Sequence, residues 1–458
     1  MAKAVVLGGG ISGLSSAYYA LQEGTSSKFA KVVLLEASNR FGGWLHSTKF
    51  EDGAVFDYGP RSFRPTYVGS GLNTVELALK LGLRDDIIAV DKRDPSNVRY
   101  VYKDKKVHQM PGTILDAIRV VPPLKRRLIW TAYQDTFAAK ATEDESVHSF
   151  CTRRYGKEIA DIMGDAMVHP SITGPMVSMS KPILHYITNW TMWSLKEGCQ
   201  QLSDTLVKHL TSPQMSAELQ LNNKCTKLTF KDGAAVVTSD KGEITTDHVF
   251  SSIYARDLAQ ILPEEHSELA QELKAIPAVS VIVVNLEYPV ESPMKGFGHL
   301  LPSIEDGPVL GVVYNSCVFP QQDRIQQKGK SSRFTVMLGG AWYDELLERM
   351  GGSLNPNGFA LFGMKVIAEH LKITEKPSKV DVIIQNDCIP QYFVGHNERV
   401  ERIFKYIKDN NLPLSLVGSS YKGVSVNDCI YNAKLRVEKF TGPSPYVSPD
   451  ISKEHFAF

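Results

Sequence analysis

Lys3-Ala4-Val5-Val6-Leu7-Gly8-Gly9-Gly10-Ile11-Ser12-Gly13 is the stretch that decides the fold. Residues 3–7 read as a first core strand, and the glycines after it have G-x-G-x-x-G spacing at the opening of a helix. Alone the spacing is weak. Its place between a strand and a helix makes it a dinucleotide signature. Gly8 permits the tight turn, Gly10 lets a pyrophosphate approach the backbone, and Gly13 allows close helix–strand packing. The helix start adds free N–H groups and the positive dipole end. Gly8, Gly9, Gly10, Ile11, Ser12 and Gly13 are therefore candidate cofactor-binding residues. Outward from this core, Lys31-Val32-Val33-Leu34-Leu35 is a second strand, apolar without interruption as a parallel strand covered on both faces requires. It ends at Glu36, whose carboxylate can accept hydrogen bonds from a ribose and would repel a 2′-phosphate.

The chain of 458 residues is long enough for two or three domains with sizeable cores. Its 51 basic and 50 acidic side chains leave a net charge of +1, so no global field draws in nucleic acid and none is expected as a partner. Six cysteines, at 151, 199, 225, 317, 388 and 429, show neither C-x-x-C nor zinc spacing and read as reduced, mostly buried thiols. No apolar run reaches 18 residues, so no membrane-spanning helix is expected. Because residues 3–7 already form a core strand, no removable leader is expected at the start. Import by an internal signal stays open.

Helices are expected over 73–82, 112–142, 357–371 and 427–440. Strands are expected at 219–221, 225–230, 234–239, 248–252, 279–286 and 309–314. Nucleotide-type sequence thus sits at both ends, around a different middle.

Glu36 is followed by Ala37 and then Arg40-Phe41-Gly42-Gly43-Trp44. This E-x-x-x-R-x-G-G stretch resembles the second fingerprint of the amine-oxidase-type flavoproteins. The resemblance implies FAD, with Arg40 and the glycines along its pyrophosphate and ribityl chain. A second cation helps to neutralise a diphosphate, and paired glycines let backbone amides approach it. Four further stretches resemble the protoporphyrinogen oxidase family, animal type: Asp57-Tyr58-Gly59-Pro60-Arg61, Gly296-Phe297-Gly298-His299-Leu300-Leu301-Pro302, Cys388-Ile389-Pro390-Gln391-Tyr392 before Gly395-His396, and Gly423-Val424-Ser425-Val426-Asn427-Asp428-Cys429-Ile430.

The fold class implied is α/β: a Rossmann-type discontinuous FAD-binding domain (1–85, 196–255, 401–458), a substrate domain with a mixed β-sheet (256–400), and a helical substrate- or membrane-side insertion (86–195). The cofactor-binding set implied is the first glycine loop with Glu36, Ala37, Arg40, Gly43, Trp44, Gly59, Pro60, Arg61, Ser62, Cys225, Val424, Ser425 and Val426, with FAD held non-covalently. Backbone N–H groups at the helix start near Asn427 can face the flavin pyrimidine edge, lined by Val424 and Val426. Asn427 and Asp428 read as first-turn, dipole-complementing residues, not as acid and base. The reaction implied is the six-electron oxidation of protoporphyrinogen IX to protoporphyrin IX by molecular oxygen, with hydrogen peroxide as by-product. The cofactor carries that chemistry, so no side chain is assigned as catalytic. A porphyrinogen is a broad apolar disc with propionate edges. Arg99 aligns with a propionate-binding arginine, and Phe297, Gly298 and Leu300 are candidates for the disc-facing wall, against plain strand core as the other reading.

Residues 112–130 mix Ile, Leu and Trp with Arg119, Lys125, Arg126 and Arg127, as an interfacial segment would. Two amphipathic helices packed on the domain would look the same. The resemblance implies peripheral attachment at the mitochondrial inner membrane, on the intermembrane-space side, and allows a homodimer. One departure stands out. The stretch from Met167-Val168-His169-Pro170 to Pro175 is followed directly by Met176–Trp190, and Trp193-Ser194-Leu195-Lys196 comes a few residues later, where the family has several tens of residues more; Glu197 replaces the first glycine of a pair. The expectation is that FAD binding survives while porphyrinogen oxidation is impaired. The alternatives are an amine or polyamine oxidase, or a non-enzymatic carrier resembling GDP-dissociation inhibitors.

Overall fold

The structure is a computed structural model that describes residues 2–22, 29–66, 69–112, 116, 118–138, 144–164, 187, 189–305, 307–325 and 330–441. Ala2–Leu7 and Phe29–Leu35 run side by side in parallel, with Ala4 opposite Val32 and Leu7 opposite Leu35. They form the middle of a five-stranded sheet in the order Leu414–Leu416, His248–Ser251, Ala2–Leu7, Phe29–Leu35, Ala217–Gln220. Every pairing in it is parallel. Both faces are covered, so Ala4, Val5, Val6 and Leu7 are all fully buried. That is why these strands carry unbroken apolar runs rather than an alternation. Each fully buried Val or Leu contributes roughly 1.5–3 kcal/mol.

Helices Ile11–Ala20, Ser70–Lys80, Gln200–Leu210 and Val426–Thr441 pack on one face through Leu14, Val75, Leu206 and Ile430. The other face meets a three-stranded antiparallel sheet and the helices Ala255–Ile261, Ser267–Lys274 and His396–Asp409 through Val237, Leu258, Leu273 and Ile403. The unit is therefore discontinuous, assembled from three stretches of chain. Because Leu269, Leu273, Ile276 and Val400 belong to its core, its middle segment runs past residue 255 and its last begins before residue 401.

The second unit is a seven-stranded sheet ordered Lys379–Pro390, Ala278–Tyr288, Ser332–Gly339, Val309–Tyr314, Gly298–Leu300, Arg99–Lys103, Lys106–Gln109. It is mixed, because Gly298–Leu300 and Arg99–Lys103 pair in parallel while its other pairs are antiparallel. Helix Pro356–Leu371 covers one face through Phe359, Val366 and Ile367. The stretch 86–195 is thus not purely helical. It lends two strands to this sheet, and its Ile87–Asp91 pairs with Trp190–Leu195. Its helices include Leu128–Thr136 and Val147–Tyr155. Residues 119–127, expected to be helical, are not. Neither Pro122 nor Pro123 has an N–H to give a helix. Most of the shortened stretch between Met167 and Trp190 lies outside the described residues.

Buried side chains fix the two units together. Asn285 Nδ2 donates to the Asp57 carbonyl at 3.0 Å, Gln385 Nε2 to that of Tyr58 at 3.1 Å, and Gln322 Nε2 to that of Leu195 at 2.8 Å. Arg333 is nearly fully buried. It pairs with Asp323 at 2.7 Å and also donates Nη1 to the Val55 carbonyl.

Candidate functional site

The first glycine loop and the Arg40–Trp44 loop cross. The Gly42 N–H donates to the Gly9 carbonyl at 2.9 Å, and a side chain on Gly43 would bring its Cβ to 2.9 Å from the Gly10 Cα. Gly43 sits at φ +58° and Gly42 at +105°, which favours glycine at both. The glycines of the first loop do different work. A Cβ on Gly13 would lie 1.9 Å from the Gly8 carbonyl oxygen, and one on Gly9 would lie 2.6 Å from the Phe41 ring. A Cβ on Gly10 would meet only the Gly43 Cα, at 3.7 Å. Gly9 and Gly13 are packing glycines, whereas Gly10 borders open space at the N-terminus of helix Ile11–Ala20. That terminus has no side-chain cap and no acidic residue in its first turn, so its N–H groups and dipole suit an anion.

Glu36 fastens this loop. Its Oε2 accepts from the Gly9 N–H at 2.6 Å and its Oε1 from the Ser38 N–H at 2.8 Å. A carboxylate has about four lone-pair sites, so room remains for a ribose hydroxyl. Arg40 is turned onto its own loop, donating to the carbonyls of Phe41 at 3.2 Å, Leu45 at 3.3 Å and Gly43 at 2.5 Å. It shapes the glycine turn as well as adding charge. Burial lowers its proton affinity, opposed by Glu36 and Asp204. Trp44 Nε1 donates to Tyr254 Oη at 2.5 Å, and a Cβ on Gly59 would strike the Trp44 carbonyl oxygen at 2.1 Å, which fixes the exit of this loop. Cys225 lies two residues beyond Asn223, whose N–H donates to the Glu36 carbonyl at 2.9 Å, just past the end of strand Phe29–Leu35.

Pro60, Arg61 and Ser62 lead from strand Val55–Asp57 to a single antiparallel bridge between Phe63 and Trp193. Arg61 Nη1 lies 3.6 Å from the Met337 sulfur, and its Nη2 is buried without a hydrogen-bond partner among the described residues. Burial pulls its proton affinity down, and Asp57 opposes this. Asp57 is buried in turn, and its carboxyl is pushed up by burial although Ser47 Oγ and the Cys199 N–H donate to it at 2.6 and 3.0 Å. The open face of Gly10, the uncapped helix terminus and the orphaned Arg61 Nη2 together fit a large group with an anionic linker.

At the far end of the site, Ser425 Oγ donates to Asp428 Oδ2 at 2.6 Å and accepts from the Asp428 N–H at 3.2 Å. The Ser425 hydroxyl is therefore spent on capping helix Val426–Thr441, and Asp428 is a first-turn residue as expected. Val426 and Ile11 both pack against the same core. Asn427 does more than complement a dipole. Its Nδ2 donates to the Arg64 carbonyl at 2.8 Å, while its Oδ1 is buried with no partner among the described residues.

On the substrate-side sheet, Arg99 lies opposite Gly298 and Val101 opposite Leu300. Arg99 is exposed. Phe297 packs with Ile88, Val90, Met192, Val318 and Phe319, at the junction with strand Trp190–Leu195. Gly298 is not a wall residue through any side chain. At φ +142° a Cβ would lie 2.2 Å from the Val312 carbonyl oxygen, so glycine is needed for strand packing. Leu300 is half-buried. Glu197 stands where the family has a glycine. Its side chain turns outward to Lys49 at 2.6 Å, both about half exposed. Gly198 keeps the conformation that matters, at φ +89° with a Cβ that would lie 2.4 Å from Ser47 Oγ.

Sequence reasoning missed Ser252, whose Oγ donates to the Leu7 and Gly8 carbonyls at 2.8 and 3.0 Å. It also missed Arg64, although the run Arg61-Ser62-Phe63-Arg64 carries two cations beside the glycine segment. Among the described residues no group of His, Cys, Asp and Glu could hold a metal ion, and no helix is long and apolar enough to cross a membrane.

Comparison with known proteins bears on this geometry. The sequence profile of flavin containing amine oxidoreductases matches residues 11–351. The protoporphyrinogen oxidases of Bos taurus and Homo sapiens are each 35% identical over 479 aligned positions, covering 96% of this chain and 98% of theirs. Among solved structures, a protein of Exiguobacterium sp. 255-15 provisionally named protoporphyrinogen oxidase has a TM-score of 0.77 at 19% identity, covering 96% of this chain and 98% of that one. The cyclohexylamine oxidase of Brevibacterium oxydans IH-35A has a TM-score of 0.66 at 14% identity, over 96% and 98% of the two chains.

Proposed function

The chain belongs to the protoporphyrinogen oxidase family, within the flavin-containing amine oxidoreductases, and from that premise we propose that it oxidises protoporphyrinogen IX to protoporphyrin IX with non-covalent FAD and molecular oxygen. It is an enzyme with a flavin cofactor. The bound flavin would supply hydride acceptance and reoxidation by oxygen, three times per substrate, so that six electrons leave and three hydrogen peroxides form. The chain's own residues hold and orient. Gly10, Gly43 and the start of helix Ile11–Ala20 would receive the diphosphate, Glu36 the ribose, and Arg61 Nη2 an acceptor on the bound group. Phe297 with Met192 and Phe319 offers an apolar wall that excludes water, and Arg99 stands at the rim to take a propionate.

One observation carries the substrate reading. The register that sets Arg99 opposite Gly298 joins the one motif to the other, so a rim cation sits one pleat from the apolar segment 297–300. The test is aerobic incubation of the yellow protein with protoporphyrinogen IX, following porphyrin fluorescence and peroxide together. About three peroxides per porphyrin are expected. Turnover of amines with none of porphyrinogen would replace this reading with the amine oxidase alternative.

We place the enzyme at the mitochondrial inner membrane, peripheral on the intermembrane-space side. The support is one apolar and basic surface. Helix Leu128–Thr136 and its end expose Ile129, Trp130 (62%), Tyr133 and Phe137 (73%). Arg119, Lys125, Arg126 and Arg127 precede them, also exposed. Apolar side chains beside cations suit an anionic lipid surface. Replacing Lys125, Arg126 and Arg127 by Glu should abolish sedimentation with anionic vesicles, each cation being worth roughly 1 kcal/mol there. Undiminished sedimentation would remove the electrostatic part of the attachment.

A further inference from the structure

We propose that Arg64 is a second carboxylate-recognising cation of the site, working with Arg99 on the propionate edge of the substrate. This rests on the functional reading above and deepens it. Strand Trp190–Leu195 places the two residues. The Phe63 N–H donates to the Trp193 carbonyl at 2.8 Å and the Trp193 N–H returns to Phe63 at 2.9 Å, an antiparallel bridge that sets Arg64 beside Met192. One residue further along, Thr191 Oγ1 donates to Asn97 Oδ1 at 2.5 Å, two residues ahead of Arg99. The arginines therefore flank one strand end, Arg64 from the cofactor side and Arg99 from the substrate sheet.

Both side chains are exposed, and among the described residues neither guanidinium has a carboxylate partner. Partial desolvation lowers the proton affinity of Arg64, and the positive charge of Arg99 lowers it further. Like charges on one strand end repel, and an anion between them removes the cost. Exposed arginines that merely hydrate would not need a fixed backbone, yet Arg64 has one. Asn427, only 7% exposed, donates Nδ2 to its carbonyl at 2.8 Å. That tether ties Arg64 to the start of helix Val426–Thr441, beside the segment 424–426 assigned to the cofactor. A dicarboxylate with an apolar body in the cleft and its carboxylates at the rim satisfies both cations. Planar guanidinium forks match carboxylates bidentately.

The experiment measures binding of protoporphyrin IX to the flavin-containing protein by fluorescence, with the dimethyl ester as its uncharged twin. Wild type should prefer the diacid. Arg64→Ala should weaken diacid binding about three- to tenfold and leave the ester unchanged, Arg64→Lys should recover part, and Arg64→Ala with Arg99→Ala should abolish the preference. In turnover, Arg64→Ala should raise KM with little change in kcat. Equal diacid affinity in wild type and Arg64→Ala would overturn the role of Arg64 while leaving the functional reading standing. Failure of the wild type to bind either porphyrin would overturn both.

Discussion

At the scale of single residues, the glycines separate packing from ligand binding in a way that one motif letter conceals. Gly13 faces a carbonyl oxygen 1.9 Å from where its Cβ would be, so Gly13→Ala should lower the melting temperature with or without flavin. Gly10 has space, so Gly10→Ala should fold normally but lose its yellow colour on desalting, and Gly10→Val should bind no flavin at all. A Gly10→Ala protein that keeps stoichiometric flavin would show that the diphosphate lies elsewhere. Arg99 makes the matching prediction on the substrate side. Arg99→Ala should raise KM for porphyrinogen and change turnover at saturation little, the mark of lost uniform binding. An unchanged KM would make it a surface charge. The glycine loop, Glu36 and the second fingerprint were legible because their geometry is local: turn, helix start and strand end lie within a few residues. The surroundings of Gly298 and Glu197 were not legible because they come from other strands, Val312 in one case and Lys49 in the other.

At the scale of elements, what could be read from sequence follows periodicity and length. The parallel strand Phe29–Leu35 and the helix Val426–Thr441 announce themselves, since Val32–Leu35 is an unbroken buried apolar run and Ser425 caps the helix start. The three-residue strands Ser47–Lys49 and Val55–Asp57 are too short to show a period. The parallel pairing of Arg99–Lys103 with Gly298–Leu300 joins segments far apart in sequence, and no local pattern sets its register. His248 lies inside a strand that was read correctly, but its burial changes its chemistry. It is 6% exposed, packed on Phe250 and Phe440, with Nε2 2.9 Å from Ser415 Oγ. Burial holds its pKa down to about 4, against 6.5 when unfolded. Below pH 6.5 the unfolded chain takes up a proton that the folded one refuses. The stability contributed is complete above that pH and falls until the folded group titrates near 4. The loss across that window is about 3 kcal/mol. His248→Gln should therefore be less stable than wild type at pH 7, with the gap closing as the pH falls to 4, measured by urea denaturation at each pH. A constant gap would mean that folding leaves the His248 pKa unshifted.

At the scale of the whole molecule, the question is which unit bears the shortened segment before Trp190. The 479 positions aligned with the Bos taurus and Homo sapiens relatives exceed the 458 residues of this chain, so those relatives carry residues without a counterpart here. The cofactor side shows no damage where the chain resumes. Trp193 is fully buried and bridged to Phe63, Cys199 donates its N–H to Asp57, and Gly198 keeps its left-handed turn against Ser47. The contacts of Asn285, Gln385, Gln322 and Arg333 also hold the substrate sheet against this unit without help from the shortened stretch. The two units should therefore fold and take up flavin as one body. Any deficit should fall on the proposed disc-binding cleft, where segments 86–195 and 297–300 meet. Flavin content should accordingly be close to one per chain, while porphyrin formation should be slow and should rise when a family-length segment is inserted between Met167 and Trp190. Flavin reduction by excess porphyrinogen without oxygen separates the causes. If the cleft is at fault, reduction is slow in the short chain and fast in the lengthened one, at equal flavin content. Reduction equally fast in both would show that the short segment suffices and that the wall of the cleft is built from residues already described.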